Sequence, residues 1–300
     1  MKRLAAVLAL AASPAFAEQP SGRPEAVQLD RDAPPPGQVE LGFDGGAPIQ
    51  TWALSAQLGF LDRPMRLHTT EIEVFPVEQR ETLALGAAIA LGTSAIADIR
   101  MPFSHQSGDR WQGLGDERAL DAWVLGDLAL GARLRIAQRA GASIFARAQL
   151  TLPTGDDHDF AGDARYSVAW NLIGRFSLPG GLVIAATAGV RFRGREVQLA
   201  DRLVGDELTG AIGATYEIPA IPGLWCPANR VRATAEVDGV LGNDVAGERG
   251  PSPLEGRIGL VGKIRPWLAV GVRIGKGLDD QIGAPRFRGL LEVAFEPGAE

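Results

Sequence analysis

Arginine side chains recur at every second position in several parts of the chain, for example at Arg133 and Arg135 and at Arg191 and Arg193. The guanidinium group stays charged at physiological pH and binds carboxylates and phosphates through paired hydrogen bonds, so rows of arginine could hold anions. Apolar residues stand between these arginines, and a period of two is typical of β-strands with one polar and one apolar face. The charged residues that we predict as the functional set on the polar face are Arg133, Arg135, Arg147, Arg165, Arg175, Arg191, Arg193, Arg230, Arg232, Glu236, Arg257 and Arg273.

Two other groups of residues could do chemistry. Ser104 and His105 are the pair that a serine hydrolase needs, but no orienting carboxylate or amide stands at a suitable position. The acidic run 156–159, with Asp163, could bind a divalent cation, although its spacing does not match an EF-hand loop. An ordinary acidic surface loop is favoured there. We place all three histidines in loops, and we predict no catalytic residue, no metal site and no cofactor; the histidines are His68, His105 and His158.

The alternation that carries the arginines extends along the chain from about residue 49. In segment 142–152, apolar residues at even positions alternate with residues that include Ser143, Arg147 and Gln149. Similar alternation predicts about twelve strands, each long enough to cross a bilayer at a tilt. These strands lie near 50–60, 82–92, 94–101, 122–136, 142–152, 165–177, 182–193, 206–218, 230–240, 254–264, 267–275 and 287–295.

The connections between the predicted strands are alternately short and long. The short ones are turns such as Gly92-Thr93 and Arg265-Pro266. The exception is 219–229, which stands where a short turn is expected, is longer, and carries the only cysteine, Cys226. Short turns on one side and long loops on the other are typical of outer-membrane barrels. The long connections cover 61–80, 102–121, 153–164, 194–205, 241–253 and 276–286.

The predicted fold class is all-β, namely a transmembrane antiparallel up-and-down β-barrel of about twelve strands. A secreted β-sandwich or lipocalin-like barrel would show the same alternation with its apolar face turned inward. The membrane barrel is favoured because mid-strand charges are confined to one face, and an arginine facing lipid near mid-bilayer costs about 2–4 kcal/mol. Aromatic residues also stand near strand ends, where interfacial girdles form.

The chain divides into four predicted segments. Residues 1–17 have a basic start, a short apolar stretch and a small-residue cleavage site, which indicate a signal peptide. Residues 18–48 are a flexible, Pro-rich periplasmic leader or a plug, 49–296 form the barrel, and 297–300 are a tail. An even number of strands returns both termini to the periplasm of a Gram-negative bacterium. The predicted partners are outer-membrane lipid and lipopolysaccharide, and the oligomeric state stays open.

Short motifs resemble those of known barrel families. They are Gly126-Asp127 within the run from Trp123 to Arg133, the turn Thr154-Gly155-Asp156, and the ending from Gly275 to Arg288. Together they resemble outer-membrane transporter-like barrels of the phenol-degradation pathway type, and equally the N-terminal barrel of myxobacterial OmpA-family proteins. Both resemblances imply an outer-membrane barrel, and neither implies a substrate.

Charge composition narrows the function. A formal net charge of −6 disfavours nucleic acid as a partner. On the polar strand faces, however, basic residues outnumber acidic ones, which predicts a passive channel or transporter for small solutes, with anions favoured. The alternative is a non-conducting structural or adhesive barrel that acts through its long loops. Twelve strands lie between a filled barrel of eight and an open channel of sixteen, so this alternative stays open.

Overall fold

The computed structural model describes residues 51–68, 73–108, 120–157, 159–163, 165–194, 196–199, 202–219, 231–242, 244–245, 248–249 and 252–297. The predicted signal peptide and leader, Arg230, Cys226 and His158 lie outside the described residues.

Twelve antiparallel strands form one closed barrel, which confirms the predicted fold class. Each strand pairs with the next along the chain, and the last pairs with the first. Both ends of the described chain lie at the same end of the barrel, where the Thr51 hydroxyl donates to the Pro297 carbonyl at 2.8 Å. The strands are β1 Trp52–His68, β2 Glu73–Leu91, β3 Ala95–Ser107, β4 Leu128–Arg139, β5 Ala142–Leu152, β6 Ser167–Ser177, β7 Leu182–Arg193, β8 Glu207–Ile218, β9 Val231–Gly242, β10 Leu254–Arg265, β11 Leu268–Gly277 and β12 Phe287–Phe295.

The two ends of the barrel differ in their connections. At the end that holds Thr51 and Pro297, called the turn end, tight turns join β2 to β3, β4 to β5, and β10 to β11. Gly92 and Gly141 have φ values of 75° and 76°, a left-handed conformation that glycine adopts without steric cost. At the opposite end, called the loop end, the connections are longer. Among the described residues, no helix has the length and apolar character needed to span a bilayer.

Polar side chains face the inside of the barrel and apolar side chains face outward, as the alternation predicts. On β4, Arg133 is 2% exposed while its neighbour Leu134 is 50% exposed. On β9, Glu236 is 4% exposed and Val237 is 37% exposed. Because adjacent strand residues point to opposite faces, this contrast repeats along the sheet. An outward face of exposed Leu, Ile, Val and aromatic residues suits lipid.

Aromatic side chains gather at two levels on the outside. At the turn end, the Phe295 ring lies 5.6 Å from the Trp52 ring and 5.3 Å from the Trp267 ring. Toward the loop end, the rings of Phe60 and Phe287 are 6.3 Å apart. Two such levels are typical of the interfacial girdles of membrane barrels.

The first hairpin is longer than the sequence predicts. Most of the predicted loop 61–80 is strand, because β1 continues to His68 and β2 starts at Glu73. Pro64 suggests a break, but register shifts on both sides of Met65 form bulges that accommodate proline within the ladder. The predicted loops 102–121, 194–205 and 241–253 are likewise partly strand: β3 continues to Ser107, Val197–Leu199 pairs with Arg202–Val204, and Asp244–Val245 pairs with Glu248–Arg249.

Strand β4 has a short extension. Residues Trp123–Leu125 pair with β3, as β4 itself does. Gly126 and Asp127 interrupt the strand between these two segments. The interruption lies at the loop end, where the connection between β5 and β6 packs against it.

Candidate functional site

The described members of the predicted functional set that lie on strands, which are all except Arg165, face the interior of the barrel. Five of them are buried, with Arg273 only 1% exposed. Whether they line a water-filled pore stays a prediction. The buried members are Arg133, Arg147, Glu236, Arg257 and Arg273, and the half-buried members are Arg135, Arg165, Arg175, Arg191, Arg193 and Arg232.

Strands β9 to β12 carry a connected group of seven charged side chains, here called the four-strand ion cluster. Arg273 donates to Glu292 at 2.5 Å, and Arg288 donates to Glu255 at 2.6 Å. Arginines and acids are close in number, so most of the charge here is neutralised inside the cluster. Its members are Glu236, Asp238, Glu255, Arg257, Arg273, Arg288 and Glu292.

Glycines provide the space in which these arginines lie across neighbouring strands. Gly259 pairs with Arg273, and Gly275 pairs with Arg257. A Cβ atom on Gly259 would lie 2.6 Å from Cγ of Arg273, and one on Gly275 would lie 2.8 Å from the Gly256 carbonyl oxygen. Because real Cβ atoms essentially never approach so closely, an alanine at either position would force the arginine or the strand to move.

A second ion pair lies across β3 and β5. Arg147 donates two hydrogen bonds to the Asp98 carboxylate, at 2.7 and 3.0 Å, and a third to Gln149 at 3.1 Å. Nearby, the Arg133 guanidinium lies 4.7 Å from the centre of the Phe145 ring, a cation–π contact. Arg147 is thus neutralised, although the sequence predicts it as part of a basic lining.

A third group lies at the loop end. Arg193 donates to Asp163 at 2.6 Å and to Glu207 at 2.9 Å, and Arg191 lies 3.7 Å from Glu207. The backbone N–H of Arg193 also donates to Asp206 at 3.0 Å. These arginines therefore bind acids of the connecting segments as well as of the strands.

Near the turn end, inward-facing basic side chains outnumber inward-facing acidic ones by four to three among the described residues. Among the described residues, four inward-facing basic side chains stand within the five strand residues nearest that end, namely Arg135, Arg175, Arg232 and Lys263. Three strand acids face inward over the same distance: Glu217, which pairs in register with Arg232, and Asp98 and Glu292, which are bound to Arg147 and Arg273. Whether a charged residue stands at an odd or an even position along its strand predicts the face of the sheet on which it lies. It does not predict which charges neutralise each other.

The Ser104 and His105 side chains point to opposite sides of the barrel wall. The Ser104 hydroxyl is buried inside, 2.9 Å from the Thr82 hydroxyl. The His105 ring lies 4.7 Å from the Trp123 ring. Neighbouring strand residues cannot form a serine–histidine dyad because they face apart. The prediction that these histidines lie in loops is wrong for His68 and His105, since β1 and β3 extend further than expected.

The acidic run at 156–159 is not an ordinary surface loop. Carboxylate oxygens of Asp121, Asp156 and Asp159 lie within 4.8 Å of one another, a spacing that could hold a cation. Asp159 is 2% exposed, and its carboxylate accepts the backbone N–H of Asp121 at 3.0 Å. This hydrogen bond already accounts for the position of Asp159, so the cluster by itself gives no reason to assign a metal.

No protein-family model matches the chain, and no curated protein matches it in sequence. The COG4313 outer-membrane channel from Pseudomonas putida F1 is similar in structure, with a TM-score of 0.61 at 15% identity over 87% of this chain and 98% of that chain. The NanC porin has a TM-score of 0.52 at 8% identity, over 81% of this chain and 98% of that chain.

The chain has the fold of an outer-membrane channel barrel. At these identities the similarity concerns the fold, and the solute has to be argued from the interior. The resemblance to the N-terminal barrel of OmpA-family proteins stays a prediction, as does the absence of enzymatic activity.

Proposed function

We propose that the protein is a passive channel of the Gram-negative outer membrane for small solutes, and that it favours anions. One observation carries the proposal: charged side chains face the inside of a closed barrel whose outside is apolar. Such a surface is stable only with lipid outside and polar contents inside. The turn end, with both chain termini, faces the periplasm in this proposal, and outer-membrane lipid and lipopolysaccharide surround the barrel.

The preference for anions rests on the basic excess at the turn end. Inward-facing Arg135 and Lys263 stand on β4 and β10, on different sides of the wall. Fixed positive charge in a narrow passage raises the local concentration of anions and lowers that of cations. The neutralised clusters farther along the barrel contribute polarity with little net charge.

A second candidate function is a non-conducting structural or adhesive barrel. The observation in its favour is the tight packing of the ion clusters, since Arg273 and Glu255 are almost fully buried. A lumen filled by such clusters would leave little room for solute. The two functions differ in one measurable property, which is ion conductance.

Planar bilayers with purified protein test both functions. We expect discrete conductance steps and a reversal potential in a KCl gradient that indicates chloride preference. The double variant Arg135→Gln with Lys263→Gln should lower the chloride-to-potassium permeability ratio. Lys276→Gln is the control: it removes one positive charge of the same kind from an exposed outward position on β11 and should leave the ratio unchanged.

The outcomes of this experiment test the channel function and the anion preference separately. A barrel that migrates as folded in SDS unless heated, yet gives no conductance, would refute the channel and favour the structural function. A conducting barrel that prefers potassium would refute the anion preference alone.

A further inference from the structure

The described residues of segment 153–163, namely 153–157 and 159–163, connect β5 to β6 and fold into the mouth of the barrel at the loop end. Its second half is buried: Asp159, Phe160, Ala161 and Asp163 are 2%, 5%, 2% and 8% exposed. Connecting segments normally run over the surface, where water satisfies their backbone groups. A buried segment needs protein partners for those groups, and the barrel wall supplies them on three sides.

The root of the segment is bound to the interruption of β4. The Thr154 hydroxyl accepts the Leu128 backbone N–H at 2.8 Å and donates to the Gly126 carbonyl at 3.2 Å. The Asp127 carboxylate accepts the backbone N–H groups of Gly155 at 2.9 Å and of Asp163 at 2.7 Å. These contacts fix both ends of the inward fold to one carboxylate.

This contact joins two of the short motifs that resemble those of known barrel families. Gly126-Asp127 and Thr154-Gly155-Asp156 pack so closely that a Cβ atom on Gly155 would lie 2.8 Å from the Gly126 carbonyl carbon. A Cβ atom on Gly162 would lie 2.6 Å from an Asp127 carboxylate oxygen. The glycines allow the two motifs to approach each other, and Asp127 and Thr154 hold them together through hydrogen bonds. Both motifs therefore serve to dock the segment against β4.

The tip of the segment is held by β2 and β3. The Arg80 guanidinium donates to the carbonyl oxygens of Phe160 at 2.8 Å and Asp159 at 3.1 Å. The Gln106 amide donates to the Asp159 carbonyl at 2.8 Å, and its oxygen accepts from Nε of Arg80 at 3.0 Å. Phe160 has a φ of 58°, a strained conformation for a bulky residue that persists only where the surroundings hold it.

The far side of the segment is held by β7, where Arg193 donates to Asp163 at 2.6 Å. Arg80 on β2 and Arg193 on β7 are five positions apart in a ring of twelve strands, so they lie nearly opposite each other. Strands about 4.8 Å apart and tilted by about 40° give a ring of twelve a backbone diameter of roughly 24 Å. The segment between the two arginines therefore crosses the mouth.

We propose that segment 153–163 is the constriction of the channel, that it sets the largest solute that can pass, and that Arg80 is the residue that positions its tip. The inference rests on the proposed channel function. Arg80 and Gln106 contact the tip at backbone carbonyls, so these contacts do not depend on which side chains the tip presents to solute.

The test measures single-channel conductance and the largest polyethylene glycol that enters the pore. Arg80→Met should raise conductance and admit larger polymers, because the tip loses its main donor. Arg63→Met is the matched control. Arg63 stands toward the loop end of β1, and among the described residues it contacts Phe75 and Glu78 but not the segment.

A second variant removes the constriction without relying on Arg80. Replacing residues 156–162 by two glycines should raise conductance roughly two-fold or more, since the mouth is then unobstructed. Folding of every variant is checked by heat-modifiable migration in SDS.

If the wild type conducts and the shortened variant shows the same conductance and the same polymer limit, the constriction proposal is overturned and the channel function stands. If a folded wild type and shortened variant are both silent, the channel function itself is overturned. A silent wild type with a conducting shortened variant would support the segment as the element that closes the mouth.

Discussion

Replacing Arg147 alone should destabilise the barrel more than replacing it together with its partner Asp98. The pair makes two hydrogen bonds, at 2.7 and 3.0 Å, and neither side chain is more than 6% exposed. Arg147→Met leaves a buried carboxylate without its counter-charge, and loss of one partner of a buried pair costs about 3–5 kcal/mol of unfolding free energy. Asp98→Val should be costly for the same reason, because it leaves the guanidinium buried.

The double variant, Arg147→Met with Asp98→Val, removes both charges and fills the space with apolar groups. Buried ion pairs replaced in this way often lose little stability, so we expect the double variant within about 2 kcal/mol of wild type. The assay is urea unfolding of barrel folded into phospholipid vesicles, followed by tryptophan fluorescence. If the loss of unfolding free energy in the double variant equals the sum of the losses in the two single variants, the two side chains are not coupled. That result would refute the pairing of Arg147 with Asp98.

Two further predictions concern the outside of the barrel and its loop end. Leu172→Arg, at an outward position that is 56% exposed, should impair insertion into vesicles by about 2–4 kcal/mol, measured as the folded fraction on heat-modifiable gels. Asp127 lies between the two strand segments, and burial raises its pKa from 3.8 to about 6. A folded pKa above the unfolded value means that its favourable contribution, fully present below pH 3.8, is lost as pH rises to about 6. Wild type should therefore lose stability relative to Asp127→Asn between pH 4 and 7, measured by urea midpoints.

Each of these two predictions has an outcome that contradicts it. Efficient insertion of the Leu172→Arg barrel would mean that β6 does not face lipid on that side. A stability difference between wild type and Asp127→Asn that does not change with pH would mean that Asp127 keeps its ordinary pKa.

The twelve strands and their faces could be predicted from the sequence because period two is a local property. The residues at which the strands end on the loop side of the barrel could not be predicted. Pro64 and Pro76 look like strand terminators, yet bulges in β1 absorb Pro64, and the adjacent Met65 and Val77 are fully buried inside the barrel. Beyond the bilayer the alternation weakens, since neither face meets lipid.

The sequence predicts that these charged residues face the interior, but it does not predict which of them form ion pairs. Arg147 and Asp98 are 49 residues apart, and only the register of β3, β4 and β5 brings them together. The inward fold of segment 153–163 gives an even weaker signal, because Arg80 binds backbone carbonyls and any residue supplies those. Arg80 itself falls in the predicted loop 61–80, although its parity with Thr82 and Ala84 places it on the inner face.

The four-strand ion cluster has a consequence for assembly. All seven of its members belong to residues 236–292, so every one of its pairs forms within β9 to β12. These pairs can therefore form in a sheet made of only these four strands, before the remaining eight strands join. By contrast, Arg147 and Asp98 need β3 to β5, and the inward segment needs β2 and β7. The last four strands can therefore enter a bilayer with most of their buried charges already paired, which would make them a natural nucleus for barrel insertion.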